Sequence, residues 1–127
     1  MRSRPPALKQ APPLRQTLGE LVLYLRLADV ALHRGRRLQA QHWLDGARAR
    51  LLTALCQRHG LDPFDGRGFD NLPAEVLADL GPALDYGTAA GQLRAGLACL
   101  ATMAHGAASD ALIPPPALRY LDCLAAR

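Results

Sequence analysis

Serine is almost missing from this 127-residue chain. It occurs only as Ser3 and Ser109, and neither lies in a nucleophile motif, so serine-hydrolase chemistry has no carrier. Lysine occurs once, as Lys9, and the net charge of +4 (pI about 9.4) is therefore almost wholly arginine. The guanidinium fork suits bidentate contact with phosphate or carboxylate, yet a balance of +4 is that of an ordinary basic domain. Aromatic residues make up 5%, too few for a base-stacking ladder, so a nucleic-acid surface is not expected. Cys56, Cys99 and Cys123 are far apart, with no CxxC pair and no zinc spacing, which predicts free thiols in a reducing cytoplasm. His33, His42, His59 and His105 are scattered and no HExxH occurs, so neither metal nor cofactor is predicted. No apolar run reaches the roughly 18 residues of a membrane span. The opening MRSRPPALKQAPP has no apolar h-region and predicts no secretory leader.

What is present is leucine and alanine. Half the residues are hydrophobic, which suffices for a core, and few are β-branched, which favours helix over sheet. The length fits one domain. Pro5, Pro6, Pro12 and Pro13 forbid a regular helix at the start, so residues 1–12 read as a loose arm and 13–127 as a single helical domain.

The stretch His33–Gly60 organises the chain. Leu14, Leu18, Leu21, Val22, Leu25, Ala28 and Leu32 follow helical spacing and predict a first helix over 13–34. Leu23, Leu27 and Val30 give it a second apolar face, the mark of a helix central in a bundle or buried against a partner. Asp29 interrupts this surface, with Arg26 and His33 in reach for a local ion pair. The basic turn His33-Arg34-Gly35-Arg36-Arg37 ends that helix, Gly35 supplying the positive φ. A second helix over 38–59 carries Leu44, Ala47, Leu51, Leu52 and Leu55 inward, with Trp43 as an anchor beside them and His42 on the surface. The loop at 59–71 lacks both the calcium ladder and the phosphate-cradle pattern, and Phe64 and Phe69 pin it. A short third helix follows Asn71 and stops at Gly81-Pro82. Residues 83–87 connect to a fourth helix over 88–105, ended by Gly106, and Pro114-Pro115-Pro116 leads into a last helix over 116–125. The fold class predicted is all-α: a five-helix bundle built around an antiparallel hairpin of two long helices.

The run LADVALHRGRRLQAQHWLDGARARLLTALCQRHG, followed by GRGFDNLPAEVLADL, resembles the C-terminal helical domain of bacterial nucleotidyltransferases of the aminoglycoside and lincosamide class. The likeness rests on a long helix ending in Arg34-Gly35, a second helix with a spaced arginine at Arg48 or Arg50, and a Leu72-Pro73 helix start, and it covers about residues 14 to 125. It implies a domain that walls the cleft for a small-molecule acceptor beside a nucleotide-binding domain. That family's Gly-Ser segment and Asp-x-Asp pair are absent here, so the chain is expected not to transfer a nucleotide alone. It would be a detached domain, a truncated product, or the partner of a catalytic subunit or of a second copy. The candidate substrate- or partner-binding residues are Asp29, His33, Arg34, Arg37, His42 and Arg48. A second resemblance is to HEPN-type toxin ribonucleases: Arg37-Leu38-Gln39-Ala40-Gln41-His42 has the Arg-x4–6-His spacing, which implies His42 as acid/base and Arg37 against phosphorane charge across a dimer. Two features depart from that pattern: the apolar Leu38 after the arginine, and the motif's place in the second helix. A third reading is a structural helical interaction module.

Overall fold

Proline and glycine punctuate this fold. The structure, a computed structural model, describes residues 12–84, 87–108 and 113–126. Helix α1, Leu14–His33, starts after Pro13, whose extended ψ of 146° admits the chain and whose carbonyl accepts from Thr17 N at 3.0 Å. It ends in a glycine-centred 6→1 and 5→2 pair: Arg36 N donates to Ala31 O at 2.9 Å and Gly35 N to Leu32 O at 3.0 Å, with Gly35 at φ 70°. Helix α2, Arg37–Arg58, ends the same way, Leu61 N reaching Cys56 O at 2.8 Å around Gly60 at φ 68°. Both long helices therefore stop where glycine can take a left-handed backbone at no steric cost.

The loop after α2 is ordered by its own polar groups. Asp62 Oδ1 accepts from Phe64 N at 2.9 Å, and two 3-10 turns, Phe64–Gly66 and Phe69–Asn71, follow. A Cβ on Gly68 would lie 2.7 Å from the Asp62 carbonyl oxygen, so the loop closes only with glycine there. Phe69 packs against the core beside buried Leu72.

Helix α3, Ala74–Asp79, ends just ahead of Gly81-Pro82, as the sequence suggested, but the expected connector does not begin there. After Leu80 one further turn, α4 (Gly81–Leu84), forms on the Leu80 carbonyl, which accepts from Ala83 N at 2.8 Å and Leu84 N at 3.0 Å. Pro82 sits in the first turn of α4, where a missing N–H costs nothing. Helix α5, Ala90–Ala108, by contrast runs past Gly106, the expected stop. Gly106 keeps a negative φ, and Arg58 Nε donates to Ala107 O at 2.6 Å, so a cation from α2 satisfies the carbonyl end of α5. Helix α6, Pro115–Ala125, closes the chain. Counting α3 and α4 as one bent segment, the described residues form the expected five-helix, all-α bundle, with no strand among them. The expected arm at 1–12 and connector at 83–87 fall partly on residues 1–11 and 85–86, outside the described residues.

The two long helices pack most extensively on each other. α5 lies against both, and α6 rests on α5. Their shared core is Leu18, Leu21, Leu25, Leu44, Leu51, Leu93, Leu97, Leu100, Leu121 and Leu124, each at most 2% exposed. Each such leucine contributes about 1.5–3 kcal/mol of burial. Ala28, Ala40, Ala47, Ala101 and Ala104 are also buried and hold no bulk between the helix axes, which lets the helices approach closely.

Candidate functional site

The polar candidates divide into a buried centre, a basic turn and a face of α1. In the centre, Asp29 is 6% exposed, on the side of α1 that meets α5. His33 Nδ1 lies 2.9 Å from the Asp29 carbonyl oxygen and 3.4 Å from its Oδ1. A carbonyl only accepts, so Nδ1 is the donor in this contact. Arg94 of α5 brings Nη1 to 3.6 Å from Asp29 Oδ1. The local partner foreseen in His33 is present. The second cation is Arg94, while Arg26 lines an outer groove. No spacing in the sequence could have pointed to Arg94, which meets Asp29 only because α5 crosses α1.

In the basic turn, Arg34 closes α1 and Arg37 opens α2, and both are exposed, as is Arg36 between them. No acidic residue occurs from Val30 to Leu44. Arg34 and Arg37 thus share one cationic end of the hairpin.

His42 and Arg48 are not part of it. His42 is exposed and stands edge-on to Trp43, ring centroids 4.9 Å apart. Arg37 and His42, five residues apart on one helix, diverge by about 140°, so within one chain they do not converge on a common point. Arg48 is half-buried, donates from Nη1 to Leu84 O at 3.3 Å, and pairs with Asp45 at 3.8 Å. Its visible work is to hold α4 on α2.

On the other side of the hairpin, sequence reasoning missed an interlocked set. Tyr24 lies edge-on to Trp43 at 5.2 Å, with the Arg50 guanidinium 4.1 Å above its ring. Arg50 Nε stands 3.4 Å from Glu20 Oε1 and its Nη1 donates to Gly46 O at 3.2 Å. The ion contact lacks hydrogen-bond alignment, which leaves Nε without a bond of its own. Gly46 is the residue that lets the Tyr24 ring approach α2.

The remaining feature is an apolar face. Leu23 is 50% and Val30 37% exposed, on the side of α1 turned away from the core. α6 packs on α5 rather than closely on α1, and so leaves a groove of about 490 Å³ between α1 and α6, lined by Val22, Arg26, Pro116, Ala117 and Tyr120.

Burial, aided by the nearby Asp62 charge, raises the Cys56 thiol above the ordinary range. Burial also raises Cys99, opposed by a backbone hydrogen bond and assisted by Asp79. Among the described residues no group of His, Cys, Asp or Glu is arranged to hold a metal ion, and no helix is long and apolar enough to cross a membrane. No known protein family, curated protein or solved structure matches the chain.

Proposed function

We propose that this bundle is a non-catalytic helical domain that works against a second protein, as the substrate-binding domain of a nucleotidyltransferase works against its catalytic domain. The outward face of α1 and the basic turn are the surfaces offered. The observation that carries the reading is the exposure of Leu23 and Val30, 50% and 37%, on the helix that also supplies Leu18, Leu21 and Leu25 to the core. A helix apolar on both sides is the expected form for one that fills a core and meets a partner. A small-molecule acceptor would then lie where the basic turn meets that partner, within reach of Arg34 and Arg37.

The ribonuclease reading requires Arg37 and His42 to address one phosphodiester, and their divergence on α2 demands that a second copy complete the pair. The structural-module reading requires only the exposed face.

The test mixes the purified protein with a nucleotidyltransferase catalytic domain that retains its Gly-Ser and Asp-x-Asp motifs but has no helical domain. Sedimentation should detect a complex, which Leu23→Glu with Val30→Glu should abolish while the circular dichroism stays helical. No complex sinks the proposal. RNA cleavage by the wild type, lost in a folded Arg37→Ala, His42→Ala variant, would replace it with the ribonuclease.

A further inference from the structure

Resting on the proposal that α1 faces a partner, the chemistry of that partner can be read from the charges around the groove. Arg15, Val22 and Arg26 follow i, i+7, i+11 along α1, with Leu23 and Val30 one step further round. On α6, Pro116 and Tyr120 line the groove, and exposed Arg119 is the i+3 neighbour of Pro116 on that helix. Arg15, Arg26 and Arg119 are all exposed.

The acidic side chains of the described residues are placed elsewhere. Glu20 is turned to Arg50 on the α2 side, Asp29 is buried against Arg94, and Asp45 of α2 pairs with Arg48. Asp122, at the opposite azimuth of α6 from Tyr120, pairs with His105 at 3.4 Å. Asp62, Asp65, Asp70, Glu75 and Asp79 belong to the loop and to α3, beyond α2. Among the described residues the groove is therefore an apolar seam with Arg26 in its lining and Arg15 and Arg119 exposed on the helices that flank it.

We propose that this seam seats an amphipathic helix of a partner protein, with its apolar stripe on Val22, Leu23 and Tyr120 and acidic residues along its flanks facing Arg15, Arg26 and Arg119. The concave shape between two helices fits helix-in-groove docking. A bilayer surface offers nothing to fill a concave seam. A second copy docking through the same face about a two-fold axis would set Arg26 and Arg119 against like charges. Charge complementarity thus selects an acidic helix over a membrane and over self-association.

The test uses three probes on the full chain, followed by amide NMR. The first is a synthetic amphipathic helical peptide with leucines at i, i+3, i+4 and i+7 and flanking glutamates. The second is the same peptide with lysine for every glutamate. The third is equimolar phosphatidylcholine–phosphatidylserine vesicles. The acidic peptide should shift the resonances of Val22, Arg26 and Tyr120, bind more weakly as salt rises, and lose about tenfold in affinity with Arg26→Glu, Arg119→Glu. Equal binding of the lysine peptide overturns the proposal. So do shifts confined to the basic turn, vesicle binding that displaces the peptide, and no shift at millimolar peptide. Leu84→Ala, an exposed apolar residue away from the seam, controls for nonspecific contact and should leave the affinity unchanged. If the peptide fails while the catalytic domain above still binds, this inference falls and the proposed function stands. If the catalytic domain fails while the peptide binds, the reverse holds.

Discussion

Replacing Gly46 by alanine sets two effects of opposite sign against each other. Alanine in a helix interior gains about 1 kcal/mol over glycine from backbone entropy. Against this, the new Cβ would meet the Tyr24 ring, with Cδ2 at 2.5 Å. The ring has little freedom to retreat, since Trp43 stands edge-on at 5.2 Å and the Arg50 guanidinium covers it at 4.1 Å. Overpacking of this kind costs about 1–3 kcal/mol. The net expectation is a loss of about 0–2 kcal/mol, or a fall in Tm of up to about 8 °C at roughly 4 °C per kcal/mol. Gly19, exposed within α1 and with nothing within 4 Å of the place a Cβ would take, supplies the control. Gly19→Ala should stabilise by about 0.5–1 kcal/mol. The decisive assay is a double-mutant cycle by urea unfolding. In a Tyr24→Ala background the obstacle is gone, and Gly46→Ala should stabilise by about 1 kcal/mol. If Gly46→Ala stabilises the wild type by as much as it stabilises Tyr24→Ala, the close fit of Tyr24 on α2 is refuted.

Two further outcomes follow from the polar centre and the thiols. Asp29→Ala removes the contacts to Arg94 and His33, both of which reach solvent, and should cost about 0.5–1.5 kcal/mol in urea midpoint analysis, whereas Arg26→Ala, on the exposed groove bank, should stay within about 0.5 kcal/mol; equal stabilities would show that the centre holds nothing together. Cys56 and Cys99 are raised in the folded state, chiefly by burial, so the fold binds their protons more tightly than the unfolded chain does. Their contribution is full below the ordinary thiol range and is lost as pH rises through the folded values, so Tm should fall faster on the alkaline side in the wild type than in Cys56→Ala, Cys99→Ala. A parallel slope in the two proteins would rule this out. Thiol labelling at mild alkaline pH should reach exposed Cys123 first and Cys56, at 0% exposure, last.

Much of the bundle was legible because its signals are local. The apolar period of α1 and α2 names the buried stripe, and Gly35 and Gly60 name both helix ends. Asp29 with His33 was legible for the same reason, being one helical turn apart. Where the reading missed, the deciding partner sat on another element. Gly106 looked like a stop, but α5 continues to Ala108, and Arg58 from α2 donates to the Ala107 carbonyl there. Arg48 looked available to a ligand, yet it reaches the α4 carbonyl of Leu84.

Spacing, glycine conformation and charge act within one or two turns of chain, and they suffice for the helix class, the central hairpin and the basic turn. That Arg94 joins Asp29, that Tyr24 nests on Gly46, and that α6 lies on α5 with a groove left beside α1 emerges from the packed bundle alone. Those contacts depend on how helices cross, and a crossing is set by the fit of whole faces rather than by any short run of residues.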